Sequence, residues 1–268
     1  MGDAQGSQGI PAAQARSLRR WNLTLAGLHA VQGIAILALS FARNPMVGAP
    51  VVSSYLTFDT ATRTLVPAQR ALFELPIGPA VALFFFLSAI AHFLVAFPAR
   101  GWYEARLARG INPARWIEYA LSSSVMIVVI ATLSGIQEIG TLVAIFGINA
   151  AMNLFGWSME LANEGRTRTQ WSHYLFGCIA GVVPWIVISI ALWTAATEPN
   201  ATPIPGFVIA IFVSLFISFN VFAFNIVLQY RRTGRWASYL YGERVYMFLS
   251  LFAKTILAWQ VFAGTLKP

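Results

Sequence analysis

Ser250-Leu251-Phe252-Ala253-Lys254-Thr255-Ile256-Leu257-Ala258-Trp259 sets one lysine inside an apolar run. The run extends over about 245–266, enough for the roughly 20 residues that cross about 30 Å of hydrocarbon. Lys254 lies about nine residues in, so about 13 Å deep at 1.5 Å per residue. That is near the bilayer midplane, where a lysine costs about 2.5–3.5 kcal/mol on insertion scales. Snorkelling does not reach an interface from there. Of the 18 basic residues 16 are arginine, and the only other lysine is Lys267. A purely electrostatic task could have used arginine. What lysine adds is a primary amine that can lose its proton when desolvated and condense with a carbonyl.

Six more stretches meet the same length requirement: about 21–42, 76–98, 116–135 (or from nearer 103), 138–159, 173–196 and 205–230. The chain is 57% hydrophobic and 10% charged, where a soluble domain carries about 25% charge. An ordinary soluble globule, a disordered chain and a nucleic-acid-binding module are excluded. The expectation is one all-α membrane domain over 1–268, a bundle of seven helices, with no room for a second domain. Residues 1–15 are expected to be disordered. The polar first 20 residues predict no cleavable signal peptide, leaving the first span as its own insertion signal. The single cysteine, Cys178, excludes an intrachain disulfide.

Loop charges set the orientation. Thirteen basic residues fall on the N-terminal side: Arg16, Arg19 and Arg20, then those of loops 2–3, 4–5 and 6–7. Four fall opposite: Arg43, Arg63, Arg70 and Lys267. A multi-pass cell-membrane protein with a cytoplasmic N-terminus and an outside C-terminus is predicted. The net charge of +8 is a topology signal, and the arginine-rich face favours anionic membrane lipids. Loop 1–2, about 43–75, is the long outer connection. Its runs Val51–Phe58 and Arg63–Val66 flank Asp59-Thr60-Ala61-Thr62 and predict a β-hairpin. Gly177 and Gly181 form a small-xxx-small pair suited to close helix packing or a dimer seam.

Buried acids narrow the site further. Glu118, in Trp116-Ile117-Glu118-Tyr119-Ala120-Leu121-Ser122, is the one acid placed within an apolar run; the others fall in loops, span ends or the N-terminal segment. It is the natural partner of Lys254. If span 3 begins at Trp116, however, Glu118 is only about 3 Å deep. Pairing then needs an earlier start near Trp102, or a tilt. His29, His92, Asn22, Gln32 and Ser88 are polar positions in spans 1 and 2 that could line one hydrated pocket. No His-Glu-x-x-His, Gly-x-Ser-x-Gly, P-loop or Cys/His metal cluster is present.

Three segments together resemble the heliorhodopsins, a retinal-binding family distinct from type-1 microbial rhodopsins. They are Arg115–Ile127, Phe176–Trp185, and Gly242–Tyr246 continuing through Ser250, Lys254, Ala258-Trp259-Gln260 and Gly264-Thr265-Leu266. The resemblance spans about 16–268. It implies all-trans retinal as a protonated Schiff base on Lys254, with Glu118 as counterion. It implies a chromophore pocket with Ser250, Tyr119, Ser122, Met126, Asn149, Pro184, Trp185 and Phe219. It also implies a proton-accepting polar cavity on the cytoplasmic side that includes His29 and His92, joined by Asn22, Gln32, Ser88 and Trp116. A homodimer with an outer hairpin belongs to the same implication.

The leading expectation is a non-enzymatic light sensor that signals to an unidentified cytoplasmic partner without pumping ions. A light-gated channel or light-driven proton transporter is the alternative. Ile127-Val128-Val129-Ile130, about three turns past Glu118, offers no second acid for a proton exit. A third reading is a carbonyl carrier or membrane enzyme that uses the amine without light.

Overall fold

The computed structural model describes residues 9–43, 46–199 and 202–266. Among them are seven helices long and apolar enough to cross a membrane, and the chain is a multi-pass membrane protein. They are α1 (Ala12–Phe41), α2 (Ile77–Ala96), α4 (Pro113–Leu133), α5 (Ile139–Asn163), α6 (Ser172–Thr197), α7 (Gly206–Tyr230) and α8 (Tyr239–Val261). A short helix, α3 (Arg100–Ala108), lies between α2 and α4. A π-turn, Phe262–Leu266, closes α8.

Several bounds differ from the sequence reading, each for a physical reason. Helix α1 starts at Ala12, so residues 12–15 are helical and not part of a disordered arm; residues 1–8 lie outside the described residues. Its first turns carry Arg16, Arg19 and Arg20, which hide a helix from a hydropathy count. Likewise α8 begins at Tyr239, ahead of the apolar run, because Glu243 is buried rather than solvated. Span 3 does not reach back to Trp102. Gly110, at φ +73°, ends α3 with Ile111 N–H bonded to Arg106 O and Gly110 N–H to Leu107 O, a Schellman stop. Asn112 then caps α4 by accepting from Arg115 N–H at 3.1 Å, with Pro113 at the first helical position.

Between α1 and α2 the chain forms a two-stranded antiparallel hairpin, β1 (Gly48–Asp59) and β2 (Thr64–Pro76). It is longer than the expected runs, with a bulge between Val51 and Val52. Asp59 Oδ1 accepts from Ala61 N–H at 2.8 Å in the turn, and this bond holds the Asp59 carboxyl below its usual range. The hairpin is pinned to the α4–α5 loop by Val52 N–H donating to Gln137 O at 2.9 Å.

Helix α4 is the most enclosed span. Its far half, Met126 to Ala131, packs into an apolar core with Phe84, Phe85, Ile188, Leu215 and Leu257. Gly177 and Gly181 receive Phe155 and Met152 of α5, so this pair serves helix packing within the chain.

Candidate functional site

Lys254 and Glu118 meet inside the bundle. Nζ lies 3.3 Å from Glu118 Oε1, with the two side chains 3% and 7% exposed. The depth objection disappears although α4 starts at Pro113. Its first turn is itself buried: Arg115 and Trp116 are 8% and 5% exposed. The start of the apolar run therefore did not mark the water boundary. Lys254 Nζ also donates to Ser250 Oγ at 2.7 Å, one turn back on α8. Ser88 of α2 donates to Glu118 Oε1 at 2.6 Å. Ser122, one turn past Glu118, is fully buried.

Two cavities adjoin the pair. The larger, about 240 Å³, has Lys254, Ser250, Tyr119, Met126, Trp185 and Phe219 in its wall. Trp185 of α6 stands edge-on to Phe212, Phe216 and Phe219 of α7 at 5.3–5.6 Å between ring centroids. Pro184, inside α6, precedes it. The cavity runs out between α6 and α7, where the lining residues Val182 and Phe216 are 47% and 42% exposed. Asn149 stands behind its α4 wall, donating to Ser123 Oγ at 2.8 Å and Ser124 Oγ at 3.0 Å. The smaller cavity, about 40 Å³, mixes polar and apolar side chains. Glu118, His92, Asn22, Tyr103, Asn112 and Glu243 are among its walls.

The polar set is partly joined. His92 Nδ1 and Asn22 Oδ1 are 2.7 Å apart, and His29 stacks on His92 at 5.6 Å and 6°. Both His29 ring nitrogens are buried without a hydrogen-bond partner, as is Gln32 Oε1. Trp116 turns the other way: its Nε1–H donates to Glu160 at 2.7 Å, and its ring lines the larger cavity. Tyr119 lines both cavities and donates to Tyr246 O at 2.9 Å.

A second buried ionic cluster escaped the sequence reading, which placed Glu160 and Glu243 at span ends or in loops. Arg115 Nη2 lies 2.6 Å from Glu160 Oε1, and Nη1 pairs with Glu243. The guanidinium also sits 4.3 Å from the Trp116 ring and 3.9 Å from the Tyr246 ring. Asn112 N–H donates to Glu160 at 2.8 Å and Asn112 Nδ2 to Glu243 at 2.6 Å. Its partners come from α4, α5 and α8, too far apart in sequence for any local pattern. The one available hint was that Arg115 opens the same segment, Arg115–Ile127, that carries Glu118.

The sequence matches the heliorhodopsin family over residues 18–266. The chain belongs to the heliorhodopsin family. Its fold is also that of a microbial rhodopsin: the crystal structure of Exiguobacterium sibiricum rhodopsin aligns with a TM-score of 0.62 at 16% identity, covering 92% of this chain and 95% of that one. No curated protein sequence matches the chain. A heliorhodopsin of this fold is a retinal protein of the photoreceptor type. The residues fit that cofactor on their own chemistry. The one buried amine among the described residues faces the end of an apolar, aromatic cavity, and the carboxylate needed to balance a cation there sits on its other side.

Proposed function

We propose that this heliorhodopsin is a light sensor that holds all-trans retinal on Lys254 as a protonated Schiff base, with Glu118 as counterion, and does not pump ions. The observation that carries the reading is Nζ of Lys254 lying 3.3 Å from Glu118 Oε1 at the wall of the 240 Å³ cavity. Bound retinal would supply a polyene that absorbs visible light and isomerises. The protein's own residues do the rest. Glu118 keeps a negative charge beside Nζ, and Ser88 and Ser250 fix the two groups through their hydroxyls. Tyr119, Met126, Trp185 and Phe219 exclude water from the cavity. His92 and His29, beside Asn22, form the polar side on which a proton released at Nζ is received.

The absence of pumping is supported by the far half of the bundle. Every buried carboxylate among the described residues lies in the half containing α3 or beside Lys254, and α4 from Met126 to Ala131 is apolar. A light-driven proton transporter needs titratable groups on both sides of the amine. Arginine placement supports a cytoplasmic N-terminus, so α3 and the Arg115 cluster face the cytoplasmic partner. The hairpin, with Leu56 and Leu65 exposed at 63% and 62%, supports a homodimer formed on the outer side.

The test is a visible spectrum after adding all-trans retinal, followed by hydroxylamine. A band that hydroxylamine bleaches is expected, absent in Lys254→Ala and shifted to longer wavelength in Glu118→Gln. No band, or one that persists in Lys254→Ala, overturns the reading. A sustained, protonophore-sensitive pH change in illuminated cells overturns the non-pumping part.

A further inference from the structure

Tyr103 stands where two networks meet at one cavity. On one side are Lys254, Glu118 and Ser88, with His92 and Asn22 in the same cavity as Glu118. On the other are Asn112, Glu243, Glu160 and Arg115. Tyr103 shares the wall of that cavity with Asn22 from the first network and Asn112 from the second, its hydroxyl near both side-chain amides. It is 4% exposed and forms part of the cavity wall with Glu118. Burial raises its hydroxyl well above the usual tyrosine range, so it stays a neutral donor.

Tyr103 belongs to α3, and α3 depends on it. The helix has nine residues, and so short a helix is marginal in isolation. Only Tyr103 and Leu107 of its residues are buried, packed with Leu18, Leu25, Val95 and Met247. Its other face carries Arg100 paired with Glu104 at 2.7 Å, Trp102 at 44% exposure and Arg106. A short element held by two side chains sits at the low-stability end of a fold and is the kind that opens first. One of its two anchors reaches into the chamber of the counterion.

We propose that Tyr103 is a positioning residue that ties α3 to the Lys254–Glu118 site, so that the docking of α3 follows the arrangement of charge around Glu118. A change at Glu118 or His92 reorients Asn22, the hydroxyl of Tyr103 loses a partner, and α3 loosens with its exposed Trp102 and arginines. In the dark the same contacts keep α3 docked. The inference rests on the light-sensor reading for its trigger, but the linkage can be tested without light.

The experiment is amide hydrogen exchange of residues 100–108 in the full chain in lipid nanodiscs. Retinal-loaded protein is compared dark and illuminated, with the visible band as loading control. Retinal-free wild type is compared with Glu118→Gln. Exchange is expected to rise about fivefold on illumination and to change by a similar factor in Glu118→Gln, the effect of losing about one hydrogen bond on local opening. Both responses should vanish in Tyr103→Phe, which keeps the ring in its apolar cluster. If Tyr103→Phe undocks α3 outright, Asn22→Val breaks the same link from the α1 side and should abolish both responses. Responses that survive in these variants, or are absent in loaded wild type and in Glu118→Gln, overturn the proposal while leaving the light-sensor reading intact. Loss of the band in wild type overturns that reading, and the retinal-free comparison still decides the linkage.

Discussion

Arg115→Met should destabilise the bundle, and removing two further charges should restore it. In the structure one guanidinium serves two buried carboxylates, Glu160 and Glu243, whose side chains are 2% and 1% exposed. Taking away one partner of a buried ion pair costs about 3–5 kcal/mol, because the remaining charge is stranded in low dielectric. Here two carboxylates are stranded together, so the upper end applies. At about 2 °C per kcal/mol for a chain of this size, the melting temperature falls by roughly 10 °C. Trp116 Nε1–H and Asn112 N–H also donate to Glu160 Oε2, and Tyr239 O–H to Oε1; the amide oxygen of a neutral glutamine accepts the first two, and its NH2 donates to the Tyr239 oxygen instead. The triple variant Arg115→Met, Glu160→Gln, Glu243→Gln should therefore recover most of the loss. Arg115→Lys should recover only part, since an ammonium lacks the fork that reaches both acids and the plane that stacks on Trp116 and Tyr246. Thermal unfolding in nanodiscs at fixed lipid composition measures all four. A single variant within about 1 kcal/mol of wild type, or a triple variant less stable than the single one, refutes the reasoning.

Three other outcomes follow from separate features. A methyl on Gly156 would penetrate the Trp116 ring, so Gly156→Leu should displace that ring into the large cavity, cost about 1–3 kcal/mol and reduce retinal uptake; normal stability and loading would refute this packing. Glu138 caps α5, accepting from Thr141 N–H at 2.7 Å, and backbone donors at Gly140 and Thr141 hold its carboxyl below the usual 4.5. Its stabilisation is complete above about that pH and fades as pH falls through the depressed value. Wild type should thus unfold at a higher temperature than Glu138→Ala at pH 6, the gap closing towards pH 3; a pH-independent gap would sink the assignment. Leu56→Ser with Leu65→Ser should convert a detergent-solubilised dimer to monomer by light scattering, and a dimer unchanged by both would remove the hairpin from the interface.

How far the sequence carried depends on the kind of signal. Apolar run length exposes the seven spans because hydrocarbon thickness imposes it on each helix separately. Lys254 and Glu118 stood out by rarity, since a chain with 10% charged residues leaves few at membrane depth. What stayed hidden required tertiary contact. Arg115, Glu160 and Glu243 read as ordinary boundary charges until α4, α5 and α8 are brought together. The early starts of α1 and α8 were masked by charges that hydropathy counts as solvated. Loop 2–3 read as four arginines on a connection, and the burial of Tyr103 and Leu107 along one side of α3 is too brief a pattern to declare a helix. In the hairpin, Pro67 and Arg70 interrupt the alternation that ended the predicted second strand at Val66; the register with β1 carries it to Pro76.

The order in which the chain is made gives the buried charges another consequence. Arg115 and Glu118 emerge from the ribosome on α4, while Glu243 and Lys254 emerge only on α8; the Arg115–Glu243 bond spans 128 residues. Each charge left alone in hydrocarbon costs about 2.5–3.5 kcal/mol. Glu160 on α5 can balance Arg115 early, but Glu118 has no cationic partner until Lys254 is made. A chain truncated before α8 keeps Glu118 unmatched in the bundle. The Lys254–Glu118 pair closes only when the last helix arrives, so the site is the last part of the bundle to reach charge balance.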